Sequence, residues 1–86
     1  MPEISRFYGI VIKIFYDDHN PPHFHAEYGE FEALFEIRTL KKISGQLPKR
    51  ATRLVKKWAI QNEDELMEQW NKAKALEKPG KIKPLE

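Results

Sequence analysis

Apolar residues recur with a short period through the first half of the chain and with a helical period through the second. From Phe7 to Tyr16 the run is apolar and β-branched: Ile10, Val11, Ile12, Ile14 and Phe15 are broken by Lys13 and punctuated by Gly9. It predicts a buried central strand that ends in the turn formers Asp17 to Pro22. His23 to Tyr28 and Phe31 to Ile37 then predict a hairpin about Gly29. Strand alternation puts Phe24, Ala26 and Tyr28 on one face and His23, His25 and Glu27 on the other. A two-residue turn at Gly29 and Glu30 sets Ala26 opposite Ala33, Phe24 opposite Phe35, His23 beside Glu36 and Glu27 beside Glu32. Leu40 to Ile43 is read as a short fourth strand.

After Gly45 the period changes. Pro48 suits a first helical position, and Ala51, Leu54, Val55 and Trp58 make one buried stripe. Lys49, Arg50, Arg53, Lys56 and Lys57 then share an arc of about 120° on the opposite side. A second helix is expected from near Asn62, with Glu65 completing a capping arrangement and Leu66, Met67, Trp70 and Ala73 facing inward. Pro79-Gly80 ends it, and the tail Lys81 to Glu86 docks through Ile82 and Leu85. The expected fold is α+β: a small antiparallel sheet of three to four strands, ordered β-β-β-(β)-α-α, with two C-terminal helices packed on one face.

Length and composition set bounds on this picture. Eighty-six residues make one domain, 1–86, with a modest core. The absence of cysteine removes disulfides, thiolate metal sites and thiol nucleophiles. No signal peptide and no apolar run of about 20 residues is present, so no membrane role and a cytoplasmic location are expected. Net charge is only +2, yet eight basic residues and no acid lie between Ile37 and Asn62.

All three histidines fall in Asp17-Asp18-His19-Asn20-Pro21-Pro22-His23-Phe24-His25. Imidazoles titrate near neutral pH, ligate transition metals and move protons. His23 and His25, two apart on a strand, lie about 6.5–7 Å apart on one face, near enough to converge on one ion. Glu27 can complete a two-histidine, one-carboxylate set, with Asp18 or Glu36 as alternatives, for divalent zinc, iron or manganese. The same two histidines can instead act as metal-free acid and base, with Arg6, Lys13 or Arg38 neutralising a phosphate. The bland reading is two strand histidines that hydrogen-bond their neighbours. No glycine-rich phosphate loop or serine nucleophile motif accompanies them.

The stretches Ile4-Ser5-Arg6-Phe7-Tyr8-Gly9, Asp18-His19-Asn20-Pro21-Pro22-His23-Phe24-His25-Ala26, Tyr28-Gly29, Gly45-Gln46-Leu47-Pro48 and Trp58-Ala59 resemble a bacterial family of small uncharacterised proteins. It is the family called domain of unknown function 4160. The resemblance covers nearly the whole chain and implies a place in a two-gene operon similar to a toxin–antitoxin module, with a cognate small protein as partner.

The leading expectation is a component of such a module that binds nucleic acid or an acidic protein through Lys49, Arg50, Arg53, Lys56 and Lys57. A helix-turn-helix is disfavoured, because the acid-rich start of the second helix would meet phosphate with like charge. The rivals are a nuclease or metal-dependent hydrolase in which His23 and His25 act directly, and a pure protein–protein module.

Overall fold

The computed structural model describes residues 2–86. Five strands, β1 (Glu3–Phe7), β2 (Ile10–Lys13), β3 (His23–Tyr28), β4 (Phe31–Glu36) and β5 (Lys42–Gln46), precede helices α1 (Lys49–Gln61) and α2 (Glu63–Lys74). The sheet is an antiparallel meander in the order β1-β2-β3-β4-β5. The α+β class and the two helices stand as expected, but there are five strands and not three to four.

The extra strand, β1, shares only Phe7 with the segment read as one strand from Phe7 to Tyr16, and a turn interrupts that segment. Tyr8 and Gly9 both take positive φ, +51° and +82°, and fold it into a two-residue hairpin turn. Phe7 and Ile10, paired across that turn, both enter the core, so apolar character runs through the corner without a break. The strand expected at Leu40 to Ile43 lies later, at Lys42–Gln46, and all five of its residues are exposed. It is held by pairing to β4 and not by burial.

The β3–β4 register is the expected one: Ala26 opposes Ala33, Phe24 opposes Phe35, His23 opposes Glu36 and Glu27 opposes Glu32. Phe7, Ile10, Ile12, Phe24, Ala26, Ala33 and Phe35 thereby form one apolar face. Helix α1 covers it: Trp58 lies 5.3 Å from the ring of Phe7 and 6.0 Å from that of Phe24. Ala51, Val55, Trp58 and Ala59 are the buried stripe of α1, with Leu54 at its margin. On α2 the buried set is Leu66, Gln69, Trp70 and Ala73, with the expected Met67 half-buried against the core; Gln69, not expected there, accepts from the Gly80 N–H through its Oε1. The capping arrangement expected at Asn62 and Glu65 does not form: Asn62 makes no side-chain cap to α2, and its Nδ2 donates back to the Trp58 carbonyl. Helix α2 also stops at Lys74, short of Pro79-Gly80.

The tail docks through Ile82 and Leu85, both buried. The Ile82 N–H donates to the Ile4 carbonyl at 2.7 Å and the Trp58 indole N–H to Lys83 O at 2.8 Å, so the tail lies along the free side of β1. Among the described residues no helix is long and apolar enough to cross a membrane.

Among the described residues one buried polar side-chain atom on the core face has no partner: Ser5 Oγ, in a residue 5% exposed and paired with Ile12. An orphaned buried hydroxyl is unfavourable. Ser5→Ala is therefore expected to raise the unfolding free energy by roughly 0.5–1 kcal/mol. Urea denaturation checks this, and a loss of stability would mean that the hydroxyl has a partner in solution.

Candidate metal centre

Alternation along β3 sends Phe24 and Ala26 into the core and turns His23 and His25 to the opposite face. The connection from Ile14 to Pro22 leaves the sheet after β2 and is tied to the elements around it by hydrogen bonds. The Asp17 N–H donates to the Ala73 carbonyl at 3.0 Å, Lys74 Nζ to the Asp18 carbonyl at 2.8 Å, and the Ile37 N–H to the Pro22 carbonyl at 3.0 Å. A cis bond joins Asn20 to Pro21. The path brings the Asp18 carboxylate between both imidazoles.

Asp18 Oδ2 lies 3.0 Å from His23 Nε2 and 3.4 Å from His25 Nε2, and the two rings are 5.4 Å apart. One ligand atom from each of the three residues lies within 4.8 Å of the others. With metal–ligand distances of about 2.1 Å, adjacent ligands stand about 3.0 Å apart at right angles and about 3.4 Å apart at tetrahedral angles. Both measured contacts to Asp18 fall on those values.

The surroundings fix the rings. His23 is 1% exposed and packs against Trp70 of α2 at 5.2 Å. His25 meets the edge of Phe15 at 4.2 Å. His23 Nδ1 lies 2.8 Å from the Pro21 carbonyl and His25 Nδ1 3.2 Å from Glu32 Oε2.

Every partner of the four ring nitrogens is thus an oxygen that can only accept when the carboxylates are ionised. Two neutral imidazoles carry two protons for four such contacts. With those protons on Nδ1, donating to Pro21 and Glu32, both Nε2 lone pairs face a carboxylate oxygen. Two further protons would place two cationic rings side by side. A single divalent cation satisfies both lone pairs and Oδ2 together. An imidazole that donates Nδ1–H to a carbonyl or carboxylate and offers Nε2 to an ion is the usual outer-sphere pattern of metal-binding histidines.

Asp18 is prepared as a one-oxygen ligand, because the backbone N–H of His19 donates to its other oxygen, Oδ1, at 2.9 Å. Burial alone would push the Asp18 carboxyl up. The His19 N–H, the contact with His25 and the positive charge that His23 can carry outweigh it, and the net position is below the ordinary carboxylate range. A carboxyl depressed in the folded state contributes stability above its unfolded pKa, and that contribution is lost as pH falls through the folded value. In metal-free buffer, the destabilisation caused by Asp18→Asn is expected to be greatest at neutral pH and to shrink below about pH 4. A difference that stays constant down to about pH 2 would contradict this.

The other residues singled out from the sequence lie elsewhere. Glu27 pairs with Lys13 at 3.1 Å, and Glu36 accepts from the Thr39 hydroxyl at 2.6 Å, so neither joins the cluster. Arg6, on β1, pairs with Glu3 at 2.8 Å, two strands away from the histidines. Arg38 faces Glu63 at 3.8 Å. His19 is largely exposed, with its ring 5.4 Å from that of His23. Lys49, Arg50, Arg53, Lys56 and Lys57 are exposed on α1, which covers the face opposite to His25. Sequence reasoning missed Glu32 and the Pro21 carbonyl as partners of the ring N–H groups. The strand register contained a signal for Glu32, since it pairs beside Glu27 and one step from Leu34, which faces His25.

Fold and site together define a small α+β protein with a two-histidine, one-carboxylate cluster at the central strand of a five-stranded meander. The chain belongs to the family described as Domain of unknown function (DUF4160), whose model matches residues 9–71, a span that holds Asp18, His23, His25, Glu32 and Trp70. No curated protein and no solved structure matches it.

Proposed function

We propose that Asp18, His23 and His25 bind one divalent transition metal, and that the protein is a metal-dependent enzyme of the hydrolytic class. The observation that carries this reading is the proton count at the two imidazoles: four nitrogens facing only acceptors. Two imidazole nitrogens and one carboxylate oxygen suit zinc, iron or manganese, and three protein ligands leave coordination positions free for water and substrate. Such an ion acts as a Lewis acid and lowers the pKa of a bound water. The chain's own residues orient the ligands: Pro21 and Glu32 fix the ring tautomers, Trp70 and Phe15 fix the ring planes, and His19 holds Asp18 through its backbone.

Protein stripped with chelator and titrated with zinc, manganese or anaerobic ferrous iron in a calorimeter is expected to bind close to one equivalent of at least one ion. The His23→Ala/His25→Ala double variant is expected to bind none. Wild-type protein that takes up none of the three would overturn the reading.

The cations of α1 support a second reading, a polyanion-binding component of a cytoplasmic toxin–antitoxin-like module. Among the described residues none of Lys49, Arg50, Arg53, Lys56 and Lys57 is ion-paired. These cations belong to α1, whereas the metal cluster is built from β3 and the connection before it and packs against Trp70 of α2, so the two activities share no residue and are separable.

A further inference from the structure

The corner between β1 and β2 holds Tyr8 at φ +51°. Glycine and asparagine serve this position in a two-residue turn with little strain, whereas a bulky side chain there is an outlier. Burial does not offset the strain, because Tyr8 is 56% exposed. A strained backbone that displays an aromatic ring to solvent points to a use for the ring.

Its neighbours give the use a chemistry. Tyr8 lines a small surface cleft with Tyr28, Pro48, Arg50 and Leu54, at the start of α1. From Arg50 the exposed cations run along the helix through Arg53 to Lys57, about 10 Å of axis at 1.5 Å per residue. Lys42 of β5 lines a second surface cleft with Lys49 and Arg53, which extends the basic surface onto the sheet edge. Helix α1 carries no acid, in contrast to α2, where Glu68 sits 3.8 Å from Lys72. Solvated helix faces usually interleave both signs; this one does not.

We infer that Tyr8 and the basic face of α1 form a binding surface for single-stranded nucleic acid, with the cations on the phosphates and the Tyr8 ring stacked on an unpaired base. Cations alone would hold any polyanion. The exposed ring selects a single strand, because an unpaired base offers it a free face and a duplex does not. The inference rests on the polyanion-binding reading of α1 and is independent of the metal cluster.

Fluorescence anisotropy with a labelled single-stranded oligonucleotide, its duplex and a polyglutamate competitor, all in chelator, tests it. Wild type is expected to bind the single strand more tightly than the duplex, and polyglutamate is expected to compete poorly. In Arg50→Gln/Arg53→Gln/Lys57→Gln the slope of log affinity against log salt should fall by about 2. Tyr8→Asn should weaken single-strand binding about tenfold at an unchanged salt slope, while Tyr8→Phe retains it. Because asparagine suits the turn, Tyr8→Asn should melt no lower than wild type, which separates a binding role from a structural one. Binding with the expected salt response but insensitive to Tyr8→Asn, or equal for single strand and duplex, would overturn the single-strand assignment and leave the polyanion reading standing. Tighter binding of polyglutamate would likewise overturn the nucleic-acid assignment and leave the polyanion reading standing, and failure to bind any of the three probes would overturn both.

Discussion

Zinc at one hundred times its dissociation constant is expected to stabilise the wild-type protein by about 2.7 kcal/mol, which for a domain of this size raises the thermal midpoint by roughly 10–20 °C. The ligands explain why the effect should be large. His23 and His25 belong to β3, Asp18 to a connection anchored on α2, and a bound ion ties the two together. The unfolded chain has no such arrangement, although three histidines in one short segment bind some zinc and reduce the gain. His25→Ala should abolish the shift while altering the metal-free midpoint little, because His25 lies at the margin of the core. Glu32→Gln keeps an acceptor for His25 Nδ1 but loses its charge, and should weaken zinc binding about tenfold with the stoichiometry unchanged. Scanning fluorimetry with and without zinc measures all three. An equal zinc response in His25→Ala would place the ion elsewhere.

Trp58→Ala is expected to cost about 3–5 kcal/mol, a large fraction of the roughly 4–13 kcal/mol that a chain of this length has in all. Trp58 is wholly buried and joins α1 to the sheet through Phe7 and Phe24. Its indole N–H also holds the tail through Lys83, and the tail in turn pairs with β1 through Ile82. Trp58→Phe separates these contributions. It retains most of the aromatic area, drops the hydrogen bond to the Lys83 carbonyl, and should cost about 1–2 kcal/mol. Ile60→Ala, on the same helix but 70% exposed, should change stability by less than about 0.5 kcal/mol. Chemical denaturation of the three variants gives the comparison. Equal losses at Trp58 and Ile60 would contradict the packing described.

These outcomes draw unequally on what the sequence displays. The β3–β4 hairpin was legible because its strands alternate with period two about Gly29, and a one-residue slip would expose Phe24 and Phe35. The same parity placed both imidazoles on one face. The β1–β2 corner was not legible, because Tyr8-Gly9 lacks the asparagine or aspartate that marks such turns and lies between two core residues. β5 was misplaced because Ser44, Gly45 and Gln46 carry no hydrophobic pattern; only the pairing with β4 defines that strand. At the site, Asp18 stood among the alternatives and Glu27 was preferred on strand spacing alone. The convergence of Asp18 depends on the Lys74 contact, made 56 positions further along the chain, which no local pattern encodes. Glu27 is drawn off by Lys13, a cross-sheet pairing that also requires the register of β2 on β3.

A long-range proton–nitrogen correlation spectrum of histidine-labelled protein, recorded before and after one equivalent of zinc, probes the imidazoles of His23 and His25 directly. The expected result is two rings that keep Nδ1 protonated while both Nε2 resonances move to the position of a metal-bound nitrogen, with His19 unchanged. Spectra in which neither Nε2 responds, or in which only the exposed His19 does, would show that the cluster is an ordinary hydrogen-bond network and not a metal centre.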